Sequence, residues 1–395
     1  MKKRIKGIRI GLVLSSVPAY SETFFTSKIN GLTGMGYEII VFARGVKEAN
    51  LRCRVIQPYP VFESTFLRWV SLVVVLPALF LRAPRIILRL WQLERKEGKS
   101  WTAIVKILYL NAHILPYDLD WLHFGFATLC TGKENVAKAI EAKLAVSFRG
   151  YDINVYPLKH PDCYLSLWKR LDKVHSISQY LMDRARVYGL PDSITTQMIT
   201  PAVSPNLPIK TNFEFGQPLH LMTVARLTWI KGLSYTLQAV AILKTQGVDI
   251  HYTIVGDGPD REHLLHEIHA LGLTDDVTFA GRLSHSDTVN RMLKSDIYVQ
   301  PSLNEGFCNA VLEAQAVGCL CIASRVGGLV ENIEHGVTGW LFEPRNPLAC
   351  SEAVIRLMGL SMEERITISS QARQRASSHF QMDSHLLQWK SFYEL

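Results

Sequence analysis

The stretch IRIGLVLSSVPAYSETFFTSKINGLTGMGYEIIVFA, Ile8–Ala43, decides how the chain begins to fold. Ile8–Ser15 reads as an apolar run, the mark of a strand buried on both faces. The loop VPAYSETF leads into a helix that ends near Gly34, Met35 and Gly36, and Glu38–Ala43 reads as a second strand. Strand, helix, strand at this spacing is a βαβ unit, and parallel sheets follow from it. Trp121–Gly125, Ala145–Phe148 and Val174–Ser178 read as later strands of the same sheet.

Residues 201–218, PAVSPNLPIKTNFEFGQP, hold four prolines and little periodicity, as a linker would. Beyond it the alternation restarts with strand Leu219–Ala225, helix Leu233–Thr245 and strand Ile250–Val255, and continues to helix Asn309–Val317. The expected architecture is α/β, two doubly wound Rossmann-like domains facing across a cleft, where ligands meet the carboxyl ends of the strands. Their expected bounds are 1–205 and 206–375. Residues 376–395 form a terminal helix whose aromatic, amphipathic end (SHLLQWKSFYEL) suits packing back toward the first domain.

The 395 residues are 48% hydrophobic and 20% charged, with no low-complexity tract, as in a globular protein. Seven scattered cysteines form no CxxC pair, which points to reduced thiols in a cytosol rather than a zinc knuckle or a disulfide framework. The basic lead-in MKKRIKGIRIGLVLSS has too short an apolar run for a signal peptide, so a cytoplasmic protein is expected. Residues 1–205 carry 28 Lys+Arg against 15 Asp+Glu, a net of +13, while residues 206–395 carry 15 against 20, a net of −5. The first half therefore faces something anionic. Its basic residues form no nucleic-acid reading module, which leaves membrane lipid or a phosphorylated substrate.

Segment 66–91 departs from a plain sheet domain. Trp69–Leu81 (WVSLVVVLPALFL) is uncharged and flanked by Arg68 and by Arg82, Arg85 and Arg89. Thirteen helical residues rise about 20 Å, short of a bilayer core of about 30 Å. The readings are an in-plane amphipathic helix with a basic face or a buried domain helix with a solvated basic edge.

Four stretches in residues 219–318 carry candidate chemistry. In VARLTWIKG, Arg226 and Lys231 stand beside a helix start, where free N–H groups favour an anion such as a diphosphate. VGDGPDRE closes a strand with Gly256 but lacks the third glycine of a dinucleotide fingerprint, so a tight turn competes with close approach to a ligand. FAGRLSHSD places Gly281 and Arg282 at a strand end before a Ser284 or Ser286 cap. In PSLNEGFCNAVLEAQAVG, Pro301–Gly318, Glu305 and Glu313 lie eight residues apart, spacing that lets two carboxylates share one cleft wall if both are helical. Carboxylates grip vicinal hydroxyls, so the pair suits a sugar at one end and a ribose at the other, while a capping and a surface glutamate is the plain alternative.

These motifs in this order, with ASRVGGLVENIEHGVTGWLF (Ala323–Phe342), resemble the glycosyltransferase family 4 enzymes of GT-B fold. The resemblance implies that Arg226 and Lys231 bind the donor diphosphate, with Gly256, Gly281 and Arg282 lining the donor. Glu305 holds the donor sugar, Gly306 and Phe307 supply backbone donors, and Glu313 holds the ribose. YSETF, DLDWLHFGFATL and VSFRGYDINVYP look like members that build exopolysaccharide, capsule or lipopolysaccharide, colanic-acid-type transferases among them. By that resemblance Ser21, Glu22, Thr23, His123, Arg149 and Asp152 form the acceptor side, His123 also serving catalysis. Arg149 stands where many relatives carry a histidine. Asp118 and Asp120 make a DxD that caps or solvates a turn.

The implied function is retaining transfer of a hexose from a nucleotide-diphosphate sugar to a lipid-linked saccharide at the inner face of the cytoplasmic membrane. No metal and no cofactor is expected, the nucleotide-sugar being a co-substrate. The alternatives are a GT-B nucleotide-sugar epimerase or isomerase, and a non-catalytic nucleotide-sugar-binding homologue.

Overall fold

The structure is a computed structural model that describes residues 7–18, 23–45 and 51–394. It divides into two compact units, Met1–Ile199 with Leu386–Leu395, and Thr200–His385.

The first unit is built on a seven-stranded parallel sheet. Its strands are β1 (Arg9–Ser16), β2 (Glu38–Arg44), β3 (Arg54–Ile56), β4 (Trp121–Phe124), β5 (Lys143–Phe148), β6 (Lys173–Ser176) and β7 (Thr195–Met198). They lie in the order β3-β2-β1-β4-β5-β6-β7, so the chain reverses its direction of travel at β1/β4. The apolar runs are buried on both faces, as parallel strands under helices must be. Helix α1 (Thr23–Gly34) carries the chain from β1 to β2. The terminal aromatics Trp389, Phe392 and Tyr393 are buried in one cluster with Ile10, Leu12, Ile29 and Trp121.

Between β3 and β4 the chain forms α2 (Thr65–Arg82), α3 (Pro84–Lys96) and α4 (Trp101–Asn111). α2 is longer than its uncharged stretch, 18 residues or about 27 Å at helical rise. Ser71 hydrogen-bonds Tyr109 of α4 at 2.6 Å, yet only Val75 and Leu79 of α2 are buried.

The second unit has a six-stranded parallel sheet of β8 (Leu219–Val224), β9 (Ile250–Val255), β10 (Val277–Gly281), β11 (Ile297–Gln300), β12 (Leu320–Ser324) and β13 (Trp340–Phe342). Its order is β10-β9-β8-β11-β12-β13. Two apolar clusters pack the faces, one around Leu237, Val240, Ile254 and Val354, the other around Met222, Tyr298, Val311 and Cys321. Residues 200–205 lie in this unit, where the Val203 amide donates to the Phe380 carbonyl at 2.9 Å. Helix Met362–His379 runs past residue 375.

Candidate active site

The second sheet reverses between β8 and β11. The chain leaves β8 for β9 and β10, then returns on the other side to β11, β12 and β13. Loops leaving such neighbouring strands diverge to opposite faces and open a crevice at the carboxyl edge. Arg226 and Lys231 follow β8 and Glu305 follows β11, so strand order brings together residues far apart in the chain. The two loops touch: the Leu303 amide donates to the Ile230 carbonyl at 2.7 Å. Gly232 has φ +64°, and a Cβ there would fall 2.2 Å from the Pro301 carbonyl oxygen, so glycine alone permits the approach.

The outcome is a direct pair, Lys231 Nζ donating to Glu305 Oε2 at 2.5 Å. Burial works against the charged lysine, but the Glu305 carboxylate outweighs it and holds the Lys231 pKa above its ordinary value. Arg226 is exposed, and its guanidinium has no ion-pair partner among the described residues. Both cations stand just before the helix Leu233–Thr245.

Gly256 and Gly281 close β9 and β10, and the Gly256 amide donates to the Gly281 carbonyl at 2.8 Å. Gly256 has φ +134°, and a Cβ on it would fall 1.9 Å from the Ala225 carbonyl oxygen. The close neighbour that demands glycine here is thus the β8 loop itself. Arg282 is exposed, with Nε 3.5 Å from Asp257.

Glu305, Gly306 and Phe307 lie in an open loop, and the helix begins only at Asn309. The helical angle between Glu305 and Glu313 therefore does not apply: Glu313 is the fifth residue of the helix and Glu305 precedes it. The loop is held from outside. Gly328 donates its amide to the Glu305 carbonyl at 2.8 Å, and Asn332 Oδ1 accepts from the Cys308 amide at 2.9 Å. The Gly306 and Phe307 amides have no partner among the described residues. The Phe307 side chain is buried, 5.6 Å ring to ring from Phe380. Glu313 Oε1 meets His285 Nε2 at 3.2 Å, a contact that raises the His285 pKa and that the sequence reading did not foresee.

The first unit uses its candidates differently. His123 on β4 is fully buried, bound through Nδ1 to the Tyr393 hydroxyl and through Nε2 to Ser147 Oγ at 2.8 Å, with the Phe392 ring stacked on it. Burial first, then the Lys28 and His175 charges, drive its pKa well down and keep it neutral. In this structure His123 packs in the core, because the terminal aromatic helix covers its strand. Asp152 is buried too, and its carboxylate accepts from the amides of Arg149, Gly150 and Ala127. Burial raises its pKa against the pull of those amides. Arg149 Nε donates to the Gly125 carbonyl at 3.1 Å, and its guanidinium carbon stands 4.2 Å from the Phe24 ring centre.

Asp118 and Asp120 both serve Arg9, Asp118 through its guanidinium at 2.7 Å and Asp120 through its amide at 2.7 Å. Ser21 and Glu22 lie outside the described residues, and Thr23 begins α1.

Residues 209–375 match the family described as glycosyl transferases group 1. The amylovoran biosynthesis glycosyltransferase AmsK of Erwinia amylovora is 30% identical over 262 residues, which is 64% of this chain and 64% of AmsK. WcaL of Escherichia coli, a glycosyltransferase assigned to colanic acid biosynthesis, is 28% identical over 409 residues, 94% of this chain and 96% of WcaL. Among solved structures, HepE of Anabaena in complex with UDP and glucose shares the fold with a TM-score of 0.71 at 17% identity, covering 97% of this chain and 98% of HepE. Strand order, family match and relatives together support a glycosyltransferase of two-domain α/β GT-B fold, its residues 209–375 matching the glycosyl transferases group 1 family.

Proposed function

We propose that this glycosyltransferase moves a hexosyl group, with retention, from a nucleotide-diphosphate sugar to a lipid-linked saccharide during cell-surface polysaccharide synthesis. The observation that carries the reading is the Lys231–Glu305 pair at the β8/β11 reversal, flanked by Arg226 and the amides of Gly306 and Phe307, which have no partner among the described residues. An ammonium has three donors. Glu305 engages one of them, which leaves two for phosphate oxygens. The departing diphosphate gathers negative charge, and Arg226 and Lys231 meet it in fixed positions. This charge neutralisation is what a metal would otherwise supply, so the reading requires neither metal nor cofactor. The bond from the anomeric carbon to the diphosphate oxygen breaks, and the acceptor oxygen bonds to that carbon on the same face. The acceptor proton passes to the leaving oxygen. Relatives named for amylovoran and colanic acid synthesis, and a fold shared with a UDP- and glucose-bound protein, support the substrate class.

The experiment is turnover of Glu305→Ala and Lys231→Ala with a panel of UDP- and GDP-sugars and a lipid-linked acceptor. Losing one preorganised electrostatic contact costs about a hundredfold in kcat or more. Near-normal transfer by either variant sinks the assignment.

The same reading puts the enzyme at the inner, anionic face of the cytoplasmic membrane, and α2 supports it. Phe66, Trp69, Val73 and Leu81 are 74%, 64%, 67% and 84% exposed, and no acidic residue occurs from Thr65 to Leu93. Arg82 and Arg85 are exposed beside them, whereas Arg89 is held by Glu141 at 2.8 Å. Apolar side chains with basic neighbours match an anionic headgroup layer over its acyl boundary. Arg82→Gln with Arg85→Gln should release the protein from phosphatidylglycerol vesicles in a sedimentation assay, and unchanged binding would defeat the idea. Protein that alkaline carbonate cannot strip would mean a spanning α2 instead.

A further inference from the structure

Beneath Glu305 runs a line of buried polar side chains for which neither motif nor relative gives a role. Tyr298, Gln300 and Ser302 are all buried at the carboxyl end of β11. Tyr298 Oη lies 3.0 Å from Gln300 Oε1, Gln300 Nε2 lies 2.8 Å from Ser302 Oγ, and Ser302 Oγ lies 3.1 Å from Glu305 Oε2. The line is tied to both neighbouring strands. Tyr298 Oη accepts from the Val224 amide of β8 at 3.2 Å, and the Ser324 hydroxyl at the end of β12 donates to the Ser302 carbonyl.

The direction of the line follows from the inventory of protons. Glu305 Oε2 already accepts from Lys231, and a carboxylate has no proton to give. Ser302 must therefore donate its single hydroxyl proton to Oε2, so its own oxygen accepts from the Gln300 NH2. Gln300 then turns its carbonyl to the Tyr298 hydroxyl, whose one proton also faces the Val224 carbonyl at 3.3 Å. The opposite amide orientation would draw the Ser302 proton toward Gln300 and set a lone pair against the carboxylate. A buried polar group facing a like partner costs about 1–3 kcal/mol, which excludes it.

We infer that Tyr298, Gln300 and Ser302 are positioning residues that lock Glu305 Oε2, leaving Oε1 as the one oxygen that accepts from the donor sugar. The inference rests on the proposed role of Glu305 at that sugar. Oε2 takes two donors and Oε1 takes none among the described residues. A carboxylate pinned by one oxygen cannot swing to grip a hydroxyl pair with both. Recognition is thus a single directed contact, whose aim depends on a side chain two positions removed from any ligand. The other residues of the strand, Ile297 and Val299, are apolar and carry no such constraint.

The test compares Ser302→Ala, Ser302→Thr and Glu305→Ala in steady-state transfer, with melting temperatures to verify folding. Hydrogen-bond partners that orient a metal-ligating side chain typically matter by about 10–100-fold, and Ser302 holds the Glu305 carboxylate by the same kind of contact. Ser302→Ala should lower kcat by about tenfold, and Ser302→Thr, which keeps the hydroxyl, should restore most of it. In the Glu305→Ala background, Ser302→Ala should cost nothing more, because residues that act through one another are not additive. Should Ser302→Ala not fold, Gln300→Met interrupts the same line one link away and is read in the same cycle. Wild-type kcat in the folded single variant, or a full further loss in the Glu305→Ala background, overturns the inference. Near-normal transfer by Glu305→Ala alone overturns instead the reading on which it rests.

Discussion

The carboxyl edges of the two sheets carry the same kinds of polar residue and spend them in opposite ways. At the edge of the second sheet, among the described residues, Arg226 has no ionic partner, Lys231 retains donors after binding Glu305, and Glu305 retains an oxygen. In the first unit His123 is filled at both nitrogens, and Asp152 accepts from three amides. A titratable residue near a strand end is therefore not a site by type or position alone. What matters is the hydrogen-bonding capacity left after its own fold has drawn on it.

The contrast breaks or sharpens on a graded series of variants. The largest effect is on turnover: Lys231→Ala should lose about a hundredfold or more while its melting temperature stays near that of the parent. His123→Leu should do the reverse. It strips partners from Tyr393 and Ser147, and leaving buried polar groups unpaired costs about 1–3 kcal/mol each. Unfolding in denaturant would read that loss, and activity per folded molecule should be unchanged. A catalytic defect in folded His123→Leu would restore it to the site.

Next in size is the dependence of stability on pH. His123 and His113 are held below the ordinary histidine range by burial, His113 at about 4. A histidine depressed in the folded state binds fewer protons than its unfolded counterpart, so stability falls as pH drops below about 6.5. For His113 the loss continues down to about 4. The limiting slope is about 1.4 kcal/mol per pH unit per group. Denaturant midpoints from pH 7 to 4.5 should show the decline, reduced in His113→Phe, and a flat profile would contradict the burial argument.

The smallest effect belongs to His285. Its partner Glu313 raises its pKa, so the pair contributes below about 6.5 and fades as pH rises through the raised value. Both side chains are partly exposed, and such a pair contributes about 0.5 kcal/mol after solvent screening. His285→Gln should be slightly less stable than the parent at pH 6 and equal to it at pH 9. A deficit that persists at pH 9 would mean the contact is not ionic.

Much of this molecule was readable from residues alone. Continuous apolar runs such as GLVL in β1 and IIVFA in β2 can be satisfied only by burial on both faces, so parallel sheets under helices followed. The tight turn read at Gly256 after β9 is there, because a side chain at that position would strike the Ala225 backbone. Other features lay beyond local pattern. Strand order set Lys231 against Glu305 across 74 residues, and the terminal helix sealed His123 from 270 residues away. Periodicity along a chain tells which side of an element seeks apolar company. Whether a polar group keeps a free proton or lone pair is settled by neighbours remote in sequence, and only the folded chain supplies them.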